Sequence, residues 1–93
     1  MKLRFLRQAY ADVERLHDFL STKNADAADR VVDLLFESAR SLKDASHKGR
    51  PLRSGFRELI VPFGKGAYVL RYRIDEAAGA ILIVRIWHSR ERR

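Results

Sequence analysis

Five side chains in the second half of this 93-residue chain could do chemistry: Arg57, Arg71, Arg73, Arg85 and His88, with Arg90 close behind. Arginine offers a planar fork of donors that grips carboxylate or phosphate in bidentate fashion. Histidine titrates near neutral pH and can move a proton in a reaction. His88 with Arg71, Arg85 or Arg90 could therefore serve cleavage of RNA by its own 2′-OH. The plainer alternative is that His88 ends a strand as a hydrogen-bonded structural group, since its parity sets it beside Ile86 on the side of the helices. Trp87 could stack on a base or on a partner's side chain, or pack within the fold. The four arginines could grip a partner or simply keep an exposed sheet face soluble.

Other polar clusters are less specific. "HKGRPLR" (47–53) could touch phosphate, or be solvated loop charge. His17 and His47 have no companion at metal-ligand spacing and the chain has no cysteine, so no metal site is expected. "GKG" (64–66) is too short for a phosphate loop and reads as a hairpin turn. No cofactor is implied.

These residues need elements to hold them. "KLRFL" (2–6) reads as a short strand. Ala9, Val13, Leu16 and Leu20 recur at helical spacing, and "STKN" (21–24) ends that helix. Asn24 or Asp26 can cap a second helix from about Ala25 to Ala45, whose apolar face is Ala28, Val31 or Val32, Leu35, Ala39 and Leu42. "SHKGRPLRSG" (46–55) is a loop. The period then falls to two: "FRELIVPF" (56–63), "AYVLRYRID" (67–75) and "AILIVRIWHSR" (80–90) are strands, the last apolar on both faces as a central strand should be.

The expected fold is α+β, a single domain over 1–93 in the order β-α-α-β-β-β. An antiparallel-rich sheet carries the N-terminal helical hairpin on one face. Parity sends Tyr68, Leu70, Tyr72 and Ile74 to one face, and Val69, Arg71 and Arg73 to the other. It sends Leu82, Val84 and Ile86 to the helices. Ile81, Ile83, Arg85 and Trp87 go to the open face with Arg71 and Arg73, and Arg57 joins them if its strand is in matching register. No carboxylate is expected among these arginines.

Charge supports a contact surface in the second half. Residues 1–46 hold eight basic and eight acidic residues, whereas residues 47–93 hold eleven basic and four acidic. The whole excess of +7 sits there, and such a field attracts nucleic acid or acidic protein. No apolar run nears the ~20 residues of a membrane helix. The start of the chain lacks the pattern of a signal peptide, so a cytoplasmic protein without membrane contact is the expectation.

The ordered set "GRPL" (49–52), "GFREL" (55–59), "YVLRYRI" (68–74) and "ILIVRIWHSRER" (81–92) resembles the RelE/ParE superfamily of bacterial type II toxins. The resemblance spans the whole chain and implies a cytoplasmic toxin neutralised by a cognate antitoxin, ParD-like or another DNA-binding repressor. It also implies one of two targets. ParE-type members inhibit DNA gyrase; RelE-type members cut mRNA on the ribosome. RelE-like nucleases run approximately Tyr/His-Arg-Leu-Val-Tyr in the third strand, with a catalytic arginine. Here the stretch is Tyr68-Val69-Leu70-Arg71-Tyr72, and Val69 can neither bind phosphate nor stabilise developing negative charge. No aromatic residue follows Trp87, where those nucleases tend to carry a tyrosine. Arg50 stands before Pro51-Leu52, where some relatives have a carboxylate. The expectation is a ParE-like gyrase inhibitor with no catalytic residue, binding target or antitoxin through Arg57, Arg71, Arg73, Arg85, Trp87, His88 and Arg90. A ribosome-dependent mRNA endonuclease using His88, Arg71, Arg85 and Arg90 is the alternative.

Overall fold

The computed structural model describes residues 1–91; Arg92, where the resembling stretch ends, and Arg93 lie outside them. The elements are β1 (Lys2–Phe5), α1 (Arg7–Ser21), α2 (Ala25–Ser41), β2 (Arg50–Pro51), β3 (Arg57–Phe63), β4 (Gly66–Asp75) and β5 (Ala80–His88). The strands lie in the order β1-β5-β4-β3-β2. Every pairing is antiparallel except β1 with β5. The expected order therefore holds, with the two-residue β2 added inside the loop. β5 lies between two strands, which explains its apolar character on both faces.

The helices form where the apolar spacing put them. Ala9, Val13 and Leu16 of α1 are buried against Val31, Leu35 and Ala39 of α2 and against the sheet. Asn24 caps α2, its Oδ1 accepting the Ala27 N–H at 3.0 Å. Asp26 and Arg40 sit at the ends of α2 that favour their charges. α2 stops at Ser41, earlier than the apolar pattern alone suggests.

One face of the sheet is sealed by this hairpin. Leu70, Tyr72, Ile81, Ile83 and Ile86 are fully buried there, each contributing roughly 1.5–3 kcal/mol through removal of apolar surface from water. Tyr72 also pins the loop before β2. Its hydroxyl accepts the Gly49 N–H at 2.8 Å and donates to the Ser46 carbonyl at 2.7 Å. A Cβ at residue 49 would lie 2.6 Å from the Tyr72 ring, so only glycine allows that approach.

The expected parity fails in the first half of β5. Ile81 and Ile83 face the helices, opposite Ile74 and Tyr72, while Leu82 faces outward opposite Arg73. A register shift between Arg71 and Tyr72 leaves Val84 without a cross-strand partner. This bulge inserts one residue and flips the alternation. Beyond it the expected sides hold: Ile86 is inward, and Arg85 and Trp87 lie opposite Arg71 and Val69.

Candidate binding face

Directly paired residues of a sheet share a face, so the register fixes what each arginine can meet. Arg71 and Arg85 are opposite one another on the open face. Arg73 is exposed on the same face, two residues along β4. Arg57 does not join them. It pairs with the buried Tyr72, so it has the parity of the helical side, and its guanidinium donates to the Gly49 carbonyl at 2.8 Å. The residue of β3 that does join is Glu58, opposite Arg71. A one-residue difference in register replaces an expected cation with an anion.

That anion changes the chemistry of the face. Glu58 Oε2 accepts from Arg71 Nε at 3.0 Å and Nη2 at 2.7 Å. The Arg71 guanidinium lies over the Trp87 ring, 4.9 Å from its centre, in the range of a cation–π contact. Trp87 is therefore buried beneath a guanidinium and not presented as an open stacking platform.

Arg85 is committed as well, to a residue that sequence reasoning did not single out. Asp12 of α1 is buried, and its carboxylate accepts from Arg85 Nε at 2.8 Å and Nη2 at 3.2 Å. It also accepts the Ile86 N–H at 2.8 Å, and Arg15 donates to the Ile86 carbonyl at 3.3 Å. β1 ends at Phe5, so the β5 edge beyond Ile83 has no strand to pair with. Asp12 and Arg15 supply the acceptor and donor that a longer β1 would have given. Burial alone would raise the pKa of Asp12; the bonds from Arg85, Ile86 and Arg15 outweigh it and hold the carboxyl below its ordinary value. The hydrogen bond that Arg85 donates to Asp12 pushes the Arg85 pKa up in turn.

Arg15 continues to the C-terminal turn, where it bonds Glu91. Glu91 closes that turn: its Oε1 accepts the His88 N–H at 2.7 Å, and its own N–H donates to the His88 carbonyl at 2.9 Å. His88 lies on the helical side opposite Tyr68, their rings edge to face at 5.0 Å. Its Nδ1 accepts the Arg90 N–H at 3.1 Å, which leaves Nε2 to carry the proton of the neutral ring. Gly66 leaves room for that ring, since a Cβ there would meet Nε2 at 2.7 Å. Arg90 itself is exposed. A cleft of about 600 Å³ opens here, lined by Leu16, Phe19, Leu20, Tyr68, His88 and Arg90 among others. Burial and the nearby Glu91 raise the pKa of the Tyr68 hydroxyl.

The structure thus divides the expected site. Arg71, Arg73, Arg85 and Trp87 share the open face, while His88 and Arg90 belong to the cleft at the other side. A sequence signal for Asp12 did exist: it is an acidic residue adjoining the apolar stripe of α1, beside Val13. Among the described residues, no group of three or more His, Cys, Asp or Glu could hold a metal ion. No helix among them is long and apolar enough to cross a membrane.

A mostly antiparallel five-stranded sheet with one helical hairpin is the architecture of RelE/ParE-type toxins. A chain of a chromosomal ParDE toxin–antitoxin system from P. aeruginosa superimposes with a TM-score of 0.78, at 24% identity and 95% coverage of both chains. A chain of the toxin–antitoxin complex RelBE2 from Mycobacterium tuberculosis gives 0.70 at 25% identity, covering 97% of this chain and 92% of that one. The family described as "ParE toxin of type II toxin-antitoxin system, parDE" matches residues 3–93, and the chain belongs to it. It is also 41% identical over 86 residues to "Toxin RelE3" of Caulobacter vibrioides, spanning 92% of this chain and 91% of that protein. "Toxin RelE1" of the same organism is 37% identical. This protein is therefore a toxin of a type II toxin–antitoxin system, within the RelE/ParE superfamily.

Proposed function

We propose that this toxin acts as ParE-type members do, inhibiting DNA gyrase by binding, and that a cognate ParD-like antitoxin neutralises it. One observation carries the choice of target. At the strand position that the resemblance assigns to a catalytic arginine, the residue is Val69, buried on the open face opposite Ile60 and Trp87. The nearest cations do not replace that arginine, because Arg71 and Arg85 are each ion-paired, to Glu58 and Asp12. Cleavage through the ribose 2′-OH needs a base and a cation converging on one phosphate. His88 lies on the opposite side of the sheet from Arg71, facing Tyr68.

A RelE-like endonuclease is the second reading, favoured by the RelE names of the relatives in Caulobacter vibrioides. One experiment separates them. Purified toxin is added to a gyrase supercoiling assay and, in parallel, to ribosomes translating a defined mRNA. Blocked supercoiling with intact mRNA is the expected result. Cleavage of mRNA on the ribosome, abolished by His88→Ala, would overturn it.

The antitoxin follows from the same reading. An acidic, amphipathic segment covers the arginine face or the helical hairpin, and it stabilises so small a fold by mass action. Co-expression with the neighbouring reading frame is expected to relieve the growth arrest that the toxin causes alone.

A further inference from the structure

The open face is not uniformly basic. In its middle row Arg71 and Arg85 are ion-paired to Glu58 and Asp12, which also pair with Arg50 and Arg15. Toward the other end, Arg4 of β1 and Arg73 of β4 flank Leu82 of β5 in one line across the sheet. Lys2 is on the same face of β1, two residues from Arg4, whose neighbours Leu3 and Phe5 pack into the core. Lys2, Arg4 and Arg73 are exposed. Among the described residues none of the three side chains has a hydrogen bond or ion pair. Asp75, two residues along β4 from Arg73 and in line with Lys2 through Ala80, accepts the Ala78 N–H at 3.1 Å, and Glu76 of the following turn is exposed.

We propose that Lys2, Arg4 and Arg73 form a ledge that docks an acidic amphipathic helix of a partner protein, laid across β1, β5 and β4. Two inter-strand steps separate Arg4 from Arg73, about 10 Å between their Cα atoms. Carboxylates seven residues apart on a helix are spaced by about the same distance, and the residues three and four along from the first lie on the same face. Such a helix sets one carboxylate at each arginine and an apolar side chain on Leu82. Lys2 adds a third cation beside Arg4. A single-stranded nucleic acid fits less well, because its bases want open aromatic surfaces to stack on. The strands of this face carry one aromatic residue, Trp87, and Arg71 already covers it.

The inference deepens the antitoxin reading and rests on it, since the helix is assigned to that partner. Growth rescue tests the reading; the ledge is tested apart from it with a synthetic probe. A labelled helical peptide carries Glu residues seven apart around a Leu, and its twin carries Lys in place of Glu. Fluorescence anisotropy with the full chain is expected to show binding of the Glu peptide, weakening as salt rises. Arg4→Glu plus Arg73→Glu should weaken it by about tenfold or more. Arg53→Glu plus Lys65→Glu, in the loop before β3 and in the β3–β4 turn, should change it by less than about twofold. The milder pair Arg4→Gln plus Arg73→Gln serves if charge reversal disturbs the fold, as judged by circular dichroism. Equal binding of the Glu and Lys peptides overturns the proposal, as does equal loss in the two charge-reversed variants. Displacement of the Glu peptide by a thymidine oligonucleotide at lower concentration overturns it too.

Discussion

The middle of the open face and its ledge are built from the same residue type, yet they behave differently. Arg85 reaches the edge of β5 and closes on the buried Asp12, joining α1 to the sheet. Arg71 closes on Glu58 and shields Trp87. Arg73, on the same strand and the same side as Arg71, touches no carboxylate of the described residues within ion-pair distance. The difference lies in what the neighbouring element presents. A guanidinium beside a carboxylate holds a fold together, and one without a partner is left for another molecule. Counting arginines on a face therefore overstates the charge that a partner meets.

Removing Asp12 should break the comparison most severely. Asp12→Ala leaves the Ile86 N–H without its acceptor and Arg85 without its counter-ion, and should cost about 3 kcal/mol. In a domain of this size that lowers the melting temperature by more than ~10 °C. By contrast, Arg73→Gln should stay within about 0.5 kcal/mol of the parent, as for a surface residue with no partner. Thermal denaturation of the two variants side by side checks both.

Acid should reveal the same carboxylate. The folded pKa of Asp12 is depressed, so its stabilisation is present above the unfolded value and fades as pH falls through the folded one. The parent's melting temperature should decline below about pH 4, and Asp12→Ala should lose part of that decline. Parallel slopes in the two proteins would mean that other carboxylates dominate.

Glu58→Gln sharpens the contrast by converting the middle row into something like the ledge. Arg71 is over a third exposed, so the lost pair should cost only about 0–1 kcal/mol. The freed guanidinium should strengthen binding of the acidic peptide by about threefold. Unchanged binding would confine the docking surface to the ledge itself.

The smallest expected effect is at the helical hairpin. His17 Nε2 is 2.9 Å from Asp29, and Asp18 is close by, so its pKa is raised. A raised folded pKa gives stabilisation below the unfolded value that is lost as pH climbs through the folded one. The difference in melting temperature between parent and His17→Gln should therefore shrink between about pH 6 and 8. His17 is too exposed for more than a slight slope.

The amino-acid sequence on its own determined the elements, their order and most of the core. Ala9, Val13, Leu16, Val31 and Leu35 announce a packed hairpin because a helix with one apolar stripe has to bury it. The alternation of Tyr68, Leu70 and Tyr72 against Arg71 and Arg73 holds in β4 because polar residues mark one side of that strand. In β5 no polar residue marks a side before Arg85, so nothing local betrays the bulge at Val84. Only the tertiary structure could set that alternation, through pairing with β1 and β4 at once. It likewise decided that Glu58 and not Arg57 faces Arg71, and that Asp12, 73 residues from Arg85 in the chain, meets it. Charge partners brought together by folding leave no spacing to read beforehand, which is why the arginines were visible in the sequence and their neutralisation was not.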